Sequence, residues 1–234
     1  MFRTLSMNTN ASVFIVVPSY NEGKQIAQTI APLLREGYSV ILVDDCSTDE
    51  TELAVKDLPI HYIKHSMNLG QGAALQTGMQ YAIKADAKFV LHFDADGQHD
   101  YREIPQMLQP LLSGQADVVL GTRFQRKEDV AAIPFLRRMV LRVAITVNGF
   151  MTGLWLSDAH NGFRAFTLIA ASRIKMTENR MAHATEILSL IKAQKLRVTE
   201  VPVHIEYSNY SKAKGQSSLN SINIFIDLLL NKLF

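Results

Sequence analysis

A single cysteine, Cys46, stands in 234 residues, so no disulfide can close within the chain, and this usage fits a reducing compartment. The first ten residues are polar, with no apolar signal-peptide core before Val13, so secretion is not expected; Met7 is a second candidate for the native start. Charge of one sign is not in excess. Lys and Arg number 24 against 22 Asp and Glu, a net charge of +2, which argues against a general nucleic-acid binder. Internal repeats and low-complexity tracts are missing too. No apolar run makes a convincing membrane span: the longest, from Phe135 to Leu156, is broken by Arg142, Asn148 and two glycines.

What the chain does contain is an alternation of short apolar runs and helical periodicity. Val13 to Val17 is a β-branched run closed by Pro18-Ser19-Tyr20-Asn21-Glu22-Gly23, after which Ile26, Ile30, Leu33 and Leu34 recur at helical spacing. Ser39 to Val43 predicts a second strand, ending in Asp44-Asp45-Cys46-Ser47-Thr48-Asp49-Glu50, whose hydroxyls and acids suit the start of a helix. A weaker strand, Ile60 to Lys64, precedes Asn68-Leu69-Gly70-Gln71-Gly72 and a helix from Ala73 to about Ala85. A fourth strand, Phe89 to Phe93, leads into Asp94-Ala95-Asp96-Gly97-Gln98-His99-Asp100. Further strands are expected at Asp117 to Leu120 and Val198 to Ile205.

Strands and helices at this pitch predict βαβ units and a mostly parallel sheet, whose ligands lie beyond the carboxyl ends of the strands. Polar clusters fall at that position in four consecutive units. Pro18 to Glu22, Asp44 to Ser47, Asn68 to Gly72 and Asp94 to Gln98 are therefore expected to converge on one rim. Asp94 and Asp96, one residue apart where a buried strand ends, outline a metal-dependent nucleotide-diphosphate site. Carboxylates alone would repel a diphosphate; a hard divalent cation taking oxygens from both removes the conflict.

These loops resemble those of the inverting glycosyltransferases of GT-A fold, family 2, in the branch of the dolichyl- and polyprenyl-phosphate sugar synthases. The matching stretches are Val17-Pro18-Ser19-Tyr20-Asn21-Glu22, Val43 to Asp49, Asn68 to Gly72, Asp94 to His99, Gly121-Thr122-Arg123 and Asn161-Gly162-Phe163-Arg164, in family order over most of the chain. The resemblance implies an α/β fold with flanking helices. It assigns Pro18, Tyr20, Glu22, Val43 and Asp45 to the nucleoside, and Asp94, Asp96 and Gln98 to Mg2+ or Mn2+ between the phosphates. Arg123 and Arg137 match phosphate-binding positions, and Lys212 and Lys214 fall in a basic loop like the one that closes over that site. Relatives often carry arginines there, which leaves bidentate phosphate binding by these lysines open.

The expected reaction is transfer of a sugar from a UDP or GDP donor, with inversion, to a polyprenyl phosphate, Asp94 and Asp96 being the catalytic residues through the metal. An ionised phosphate acceptor needs no base, whereas a sugar hydroxyl or lipid-linked saccharide, the alternative acceptor, needs one. A non-catalytic nucleotide-sugar-binding protein is the second alternative.

The second half carries Arg137, Arg138 and Arg142 among apolar residues, and the terminal stretch Ile222 to Phe234 is apolar with spaced polar residues. Two such segments suggest a bilayer surface, so the chain is expected to sit in the cytoplasm on the inner face of a membrane. A core helix or a homodimer contact is the plainer reading of either segment. One domain, 1–234, is expected, with about 12–124 binding the nucleotide sugar and about 125–234 facing acceptor and membrane.

Other polar residues have competing readings. His92 is expected to pack, His99 to stand near the metal or face solvent, and Asp44 to brace its loop. Asp158 matches the acceptor-side segment before Asn161, or supports that turn. Glu186 is either a base for a hydroxyl acceptor or, more simply, a helix-start residue serving the backbone.

Overall fold

A computed structural model describes residues 10, 12–125, 135–158, 161–179 and 182–206, with the side chains at 135–137, 140, 141, 144 and 151 outside the description. Lys212, Lys214, the alternative start and the Ile222 to Phe234 stretch lie outside the described residues.

The strands are β1 Val13–Ser19, β2 Ser39–Asp44, β3 His61–Lys64, β4 Phe89–His92, β5 Val118–Thr122, β6 Arg164–Thr167 and β7 Val198–Pro202. Between them run α1 Ile26–Arg35, α2 Thr51–Val55, α3 Gln71–Lys84, a 3-10 turn Tyr101–Glu103, α4 Ile104–Leu112, α5 Phe135–Thr152, α6 Leu168–Arg173 and α7 His183–Ala193. They form one sheet in the order β3-β2-β1-β4-β6-β5-β7. Only β6 runs against its neighbours, β4 and β5; the other pairs are parallel. The mostly parallel α/β sheet matches the sequence reading. Strand β6 was not expected, and it draws the second half of the chain into the centre of the sheet.

Strand β1 is buried along its whole length because both faces are covered. Val13, Ile15 and Val17 pack with Ile26, Ile30 and Leu33 of α1 and with Ile104 and Leu108 of α4. Phe14 and Val16 face the opposite core, with Leu75 and Met79 of α3 and with Ile187 and Leu188 of α7. A continuous apolar run is what a strand needs when it has no solvent face.

Helix α1 ends by donating Gly37 N to Leu34 O and Tyr38 N to Leu33 O, with Gly37 at φ +80. That left-handed residue stops the helix and turns the chain into β2. Since β1 to β4 are mutually parallel, their carboxyl ends open on the same edge, where the site forms.

Candidate active site

Backbone and side-chain bonds sew the four loops together. Asp45 N donates to Ser19 O at 2.8 Å, Asn21 N to Ser47 Oγ at 2.9 Å, and Gly23 N to Asp49 Oδ2 at 2.9 Å. Asp49 also accepts Thr51 N at the start of α2, so an acid two residues ahead of the helix serves its first turn. Thr29 Oγ1 of α1 donates to Ala95 O at 3.0 Å, tying the Asp94 loop to the first helix.

The two neighbouring aspartates of the second loop are both held from inside. Asp44 accepts Ser47 N at 2.7 Å and Tyr62 Oη at 2.6 Å, so it braces the loop. Asp45 accepts Leu69 N at 2.9 Å and Gly70 N at 2.6 Å, and lies 2.7 Å from His65 Nδ1. His65 reaches on to Thr77 Oγ1 of α3 at 3.0 Å. Asp45 thus draws the third loop over the second. Tyr20 is 45% exposed, whereas Glu22 is buried. Pro18 is buried too, and Val43 has no exposed surface at all, so both stand behind the loops rather than on the open rim.

Asp94 leaves β4 with Oδ1 accepting Gln71 Nε2 at 3.2 Å and Oδ2 lying 3.0 Å from His99 Nε2. His99 is not a solvent-facing residue. Its side chain is 2% exposed, with its ring 5.3 Å from that of Phe93 and 5.0 Å from that of Phe163. Its backbone pairs with Ile205, and Glu206 N donates to Gln98 O at 2.9 Å, so the run after β7 continues onto the Asp94 loop. A Cβ at Gly162 would collide with Asp94 Oδ2, which explains a glycine at the point where the β6 loop meets the carboxylate.

Burial works against the Asp94 charge, but the hydrogen bond and charge of His99, with Arg164 and His183, outweigh it and hold the carboxyl below its usual range. Asp96 goes the other way. Burial first, then the Asp94 charge, with a further push from Glu22, raises it to about 6. Its oxygens accept Gln98 N at 3.0 Å and Gln98 Nε2 at 2.6 Å. With Nε2 committed to Asp96, Gln98 keeps its carbonyl oxygen as the donor for a cation.

The donor set fits a hard divalent ion: two carboxylates, one destabilised by the other, and a neutral oxygen. Among the described residues no three or more His, Cys, Asp or Glu side chains gather into a metal cage, so most ligands would come from phosphate and water. That division suits Mg2+ in particular, which takes one or two carboxylates and completes its shell from substrate.

His92 packs against Phe166 at 4.9 Å, with both ring nitrogens buried and unpartnered, and burial keeps it well below the usual range for histidine. It is a core side chain.

Arg123 occupies the end of β5 and turns its fork onto Asp158, Nε to Oδ2 at 2.6 Å and Nη2 to Oδ1 at 2.8 Å, with both side chains buried. Glu200 of β7 in turn accepts Ser157 N, Ser157 Oγ and Asp158 N between 2.8 and 3.1 Å. A phosphate arriving at Arg123 would meet a cation already opposed by a carboxylate. Asp158 supports the turn in this way, while Arg137 lies in the first turn of α5 with its side chain outside the description.

Glu186 serves the backbone, though not at the start of its own helix. Its oxygens accept Thr177 N, Thr177 Oγ1 and Glu178 N, fixing a loop whose Asn179 O accepts Ala73 N of α3.

Sequence reasoning gave no role to Arg164, Gln71, His65 or Glu200. Arg164 is 2% exposed, and burial pulls it down to about 10 despite the opposing pull of Asp94 and Asp158. Arg164 and Gln71 stood inside quoted motifs; an acid within an otherwise apolar strand was the signal for Glu200.

Comparison with known proteins follows the same lines. The family described as Glycosyl transferase family 2 matches residues 14–174. The chain is 32% identical to the uncharacterized protein MJ1222 of Methanocaldococcus jannaschii, over 95% of this chain and 93% of that one. It is 28% identical to the UDP-N-acetylglucosamine–dolichyl-phosphate N-acetylglucosaminyltransferase of Methanococcus voltae, over 94% of this chain and 96% of that one. Among solved structures it resembles glucosyl-3-phosphoglycerate synthase of Mycobacterium tuberculosis in complex with Mn2+, UDP-glucose and phosphoglyceric acid. The TM-score is 0.61 at 19% identity, over 88% of this chain and 77% of that one, a likeness of GT-A fold.

Proposed function

The chain belongs to glycosyl transferase family 2, and from that premise we propose that this glycosyltransferase moves a sugar from a nucleoside diphosphate to a polyprenyl phosphate, with inversion. The observation that carries this reading is the Asp94–Asp96 pair at the carboxyl end of β4, a negative site built where four loops meet, with Gln71 and His99 bonded to Asp94 and Gln98 to the half-buried Asp96. Asp94, Asp96 and Gln98 would hold Mg2+ or Mn2+. When bound, such an ion neutralises the diphosphate and acts as a Lewis acid on the leaving phosphate.

The chain's own residues do the positioning. Tyr20, Glu22 and Asp45 would cradle the nucleoside, with Pro18 and Val43 packed behind them as the wall of the pocket; exposed Tyr20 offers a ring face, and Asp45 keeps the third loop closed. His99 and Gln71 fix the Asp94 carboxylate from both sides. The acceptor phosphate would meet Arg137, Lys212 and Lys214, with Arg123 contributing through the Asp158 turn that it orders.

A phosphate acceptor needs no general base, and Glu186, the acid weighed for that task, is engaged with Thr177 and Glu178. A lipid acceptor puts the reaction at the cytosolic face of a membrane. No helix among the described residues is long and apolar enough to cross one. The relative from Methanococcus voltae carries a dolichyl-phosphate acceptor in its name, which supports the lipid reading.

The test is transfer from labelled UDP- and GDP-sugars to undecaprenyl phosphate in detergent, with Mg2+, Mn2+ or EDTA. Lipid labelling by one donor that EDTA abolishes is expected. Metal-dependent donor hydrolysis without lipid labelling would move the acceptor to a saccharide.

A further inference from the structure

Glu200 is a half-buried acid in the middle of β7, an edge strand of the sheet. Its register neighbour on β5 is Leu120, whose neighbour on β6 is Arg164, itself paired with His92 of β4. Register neighbours share a face of the sheet, so Glu200, Leu120, Arg164 and His92 form one row across four strands. Leu120 belongs to the core beneath α3 and α7, and Leu154 and Leu156, which follow α5, pack on that same core. The chain leaving α5 therefore comes down onto the row beside Glu200.

Glu200 receives it. Oε1 accepts Ser157 Oγ at 2.8 Å, Ser157 N at 2.9 Å and Asp158 N at 3.1 Å, and Oε2 shares Ser157 N at 3.0 Å. Ser157 Oγ also lies 2.7 Å from Thr122 Oγ1, which pins the turn to the end of β5. One oxygen facing three donors is a crowded acceptor, and its charge strengthens each bond.

Asp158, held by its amide, presents its carboxylate to Arg123. Oδ2 accepts Arg123 N at 3.2 Å and Nε at 2.6 Å, and Oδ1 accepts Nη2 at 2.8 Å. A planar guanidinium takes its orientation from the carboxylate that it bonds in this two-pronged way, and this carboxylate takes its position from the backbone that Glu200 holds. Two links thus lead from the edge strand to the cation at the end of β5.

We propose that Glu200 is a positioning residue: through the Ser157–Asp158 turn it sets the guanidinium of Arg123, and with it the place where the acceptor phosphate is received. The second half of this statement rests on the phosphate acceptor of the proposed function; the first half does not.

Two conservative variants of the full chain separate reach from charge. Glu200→Gln keeps the reach and one oxygen for the three donors, whereas Glu200→Asp keeps the charge and falls one methylene short. In transfer to undecaprenyl phosphate, Glu200→Asp should raise the KM for the lipid about ten- to a hundredfold, the scale on which a displaced binding group acts, with the donor KM unchanged. Glu200→Gln should stay close to the parent. An Asp variant that behaves like the parent, an equal rise in both KM values, or a Gln variant as impaired as Asp would each overturn the assignment.

A double-mutant cycle in denaturant unfolding tests the linkage without any substrate. Glu200→Ala should cost less stability in an Arg123→Met background than in the parent, because the two residues share one network; additive costs would detach Glu200 from Arg123. If the parent labels no polyprenyl phosphate, the proposed acceptor falls, and the cycle alone decides whether Glu200 sets Arg123. Labelling by the parent together with additive costs removes only the role of Glu200.

Discussion

His99 Nε2 stands 3.0 Å from Asp94 Oδ2, and the histidine ring is fixed between Phe93 and Phe163. Outer-shell partners of metal ligands orient them, and losing one typically costs 10- to 100-fold in affinity, so His99→Ala should weaken Mn2+-dependent nucleotide binding by about that factor. His99→Gln, with a donor of similar reach, should recover part of it. Titration calorimetry with Mn2+ and nucleotide reads both, and unchanged affinity in His99→Ala would remove the positioning role.

Asp96→Asn should lower transfer on the order of a thousandfold, since Lewis-acid stabilisation is worth several kcal/mol. The substitution also deletes a half-buried charge crowded by Asp94, so the metal-free protein should melt no lower than the parent. A folded variant with near-normal turnover would end the metal assignment.

Arg123 and Asp158 form a buried bidentate pair. Removing one partner of such a pair typically costs about 3–5 kcal/mol, so Arg123→Met alone should unfold at clearly lower denaturant. Arg123→Met with Asp158→Leu should regain much of that loss. If transfer also returns in the double variant, Arg123 is a scaffold residue; if stability returns without transfer, its cation meets phosphate.

Arg137→Ala is expected to raise the KM for lipid acceptor more than that for donor, leaving nucleotide affinity unchanged. Equal loss on both sides, or on neither, would take Arg137 out of the acceptor site.

Asp117 binds Arg197 through both carboxylate oxygens, and that hydrogen bonding, against some burial, lowers its pKa in the folded state. A lowered folded value gives stability that is present above the unfolded value, near 3.9, and lost as pH falls through the folded one. Arg197→Gln should therefore reduce stability at neutral pH and flatten the acid limb below about pH 4. Melting curves from pH 3 to 7 test this, and parallel curves for parent and variant would refute it.

Local pattern carried far in this chain. The runs at Val13, Ser39, Phe89 and Val118 became β1, β2, β4 and β5 because strands covered on both faces need uninterrupted apolar residues. Helix α3 begins at Gln71, two residues before the expected Ala73, on a Gly70 whose φ of 101 no periodicity reports. Strand β6 escaped notice because Arg164–Thr167 is four residues long, holds one large apolar side chain, and begins with a charged one.

Side-chain engagement was less legible. Asp44 and Asp45 are identical neighbours, yet one braces its own loop and Tyr62 while the other captures the amides of Leu69 and Gly70. Arg123 reads as a phosphate ligand and Glu186 as a base or cap; each proved to be facing a partner tens of residues away along the chain, Asp158 in the first case, or across the break between loop and helix, Thr177 in the second.

By itself the sequence determined the alternation of strand and helix, the convergence of four polar loops on one edge, and the Asp94–Asp96 pair, since each depends on neighbours within a few residues. Only the tertiary structure decided that β6 would enter between β4 and β5, that His99 would turn inward onto Asp94, and that Met139, Val143 and Phe150 of α5 would stand exposed while Asn148 and Thr152 are buried. Those outcomes depend on which surfaces meet after the chain closes on itself. Burial, the quantity that sets a charge's partner and a helix's orientation, is a property of that closure.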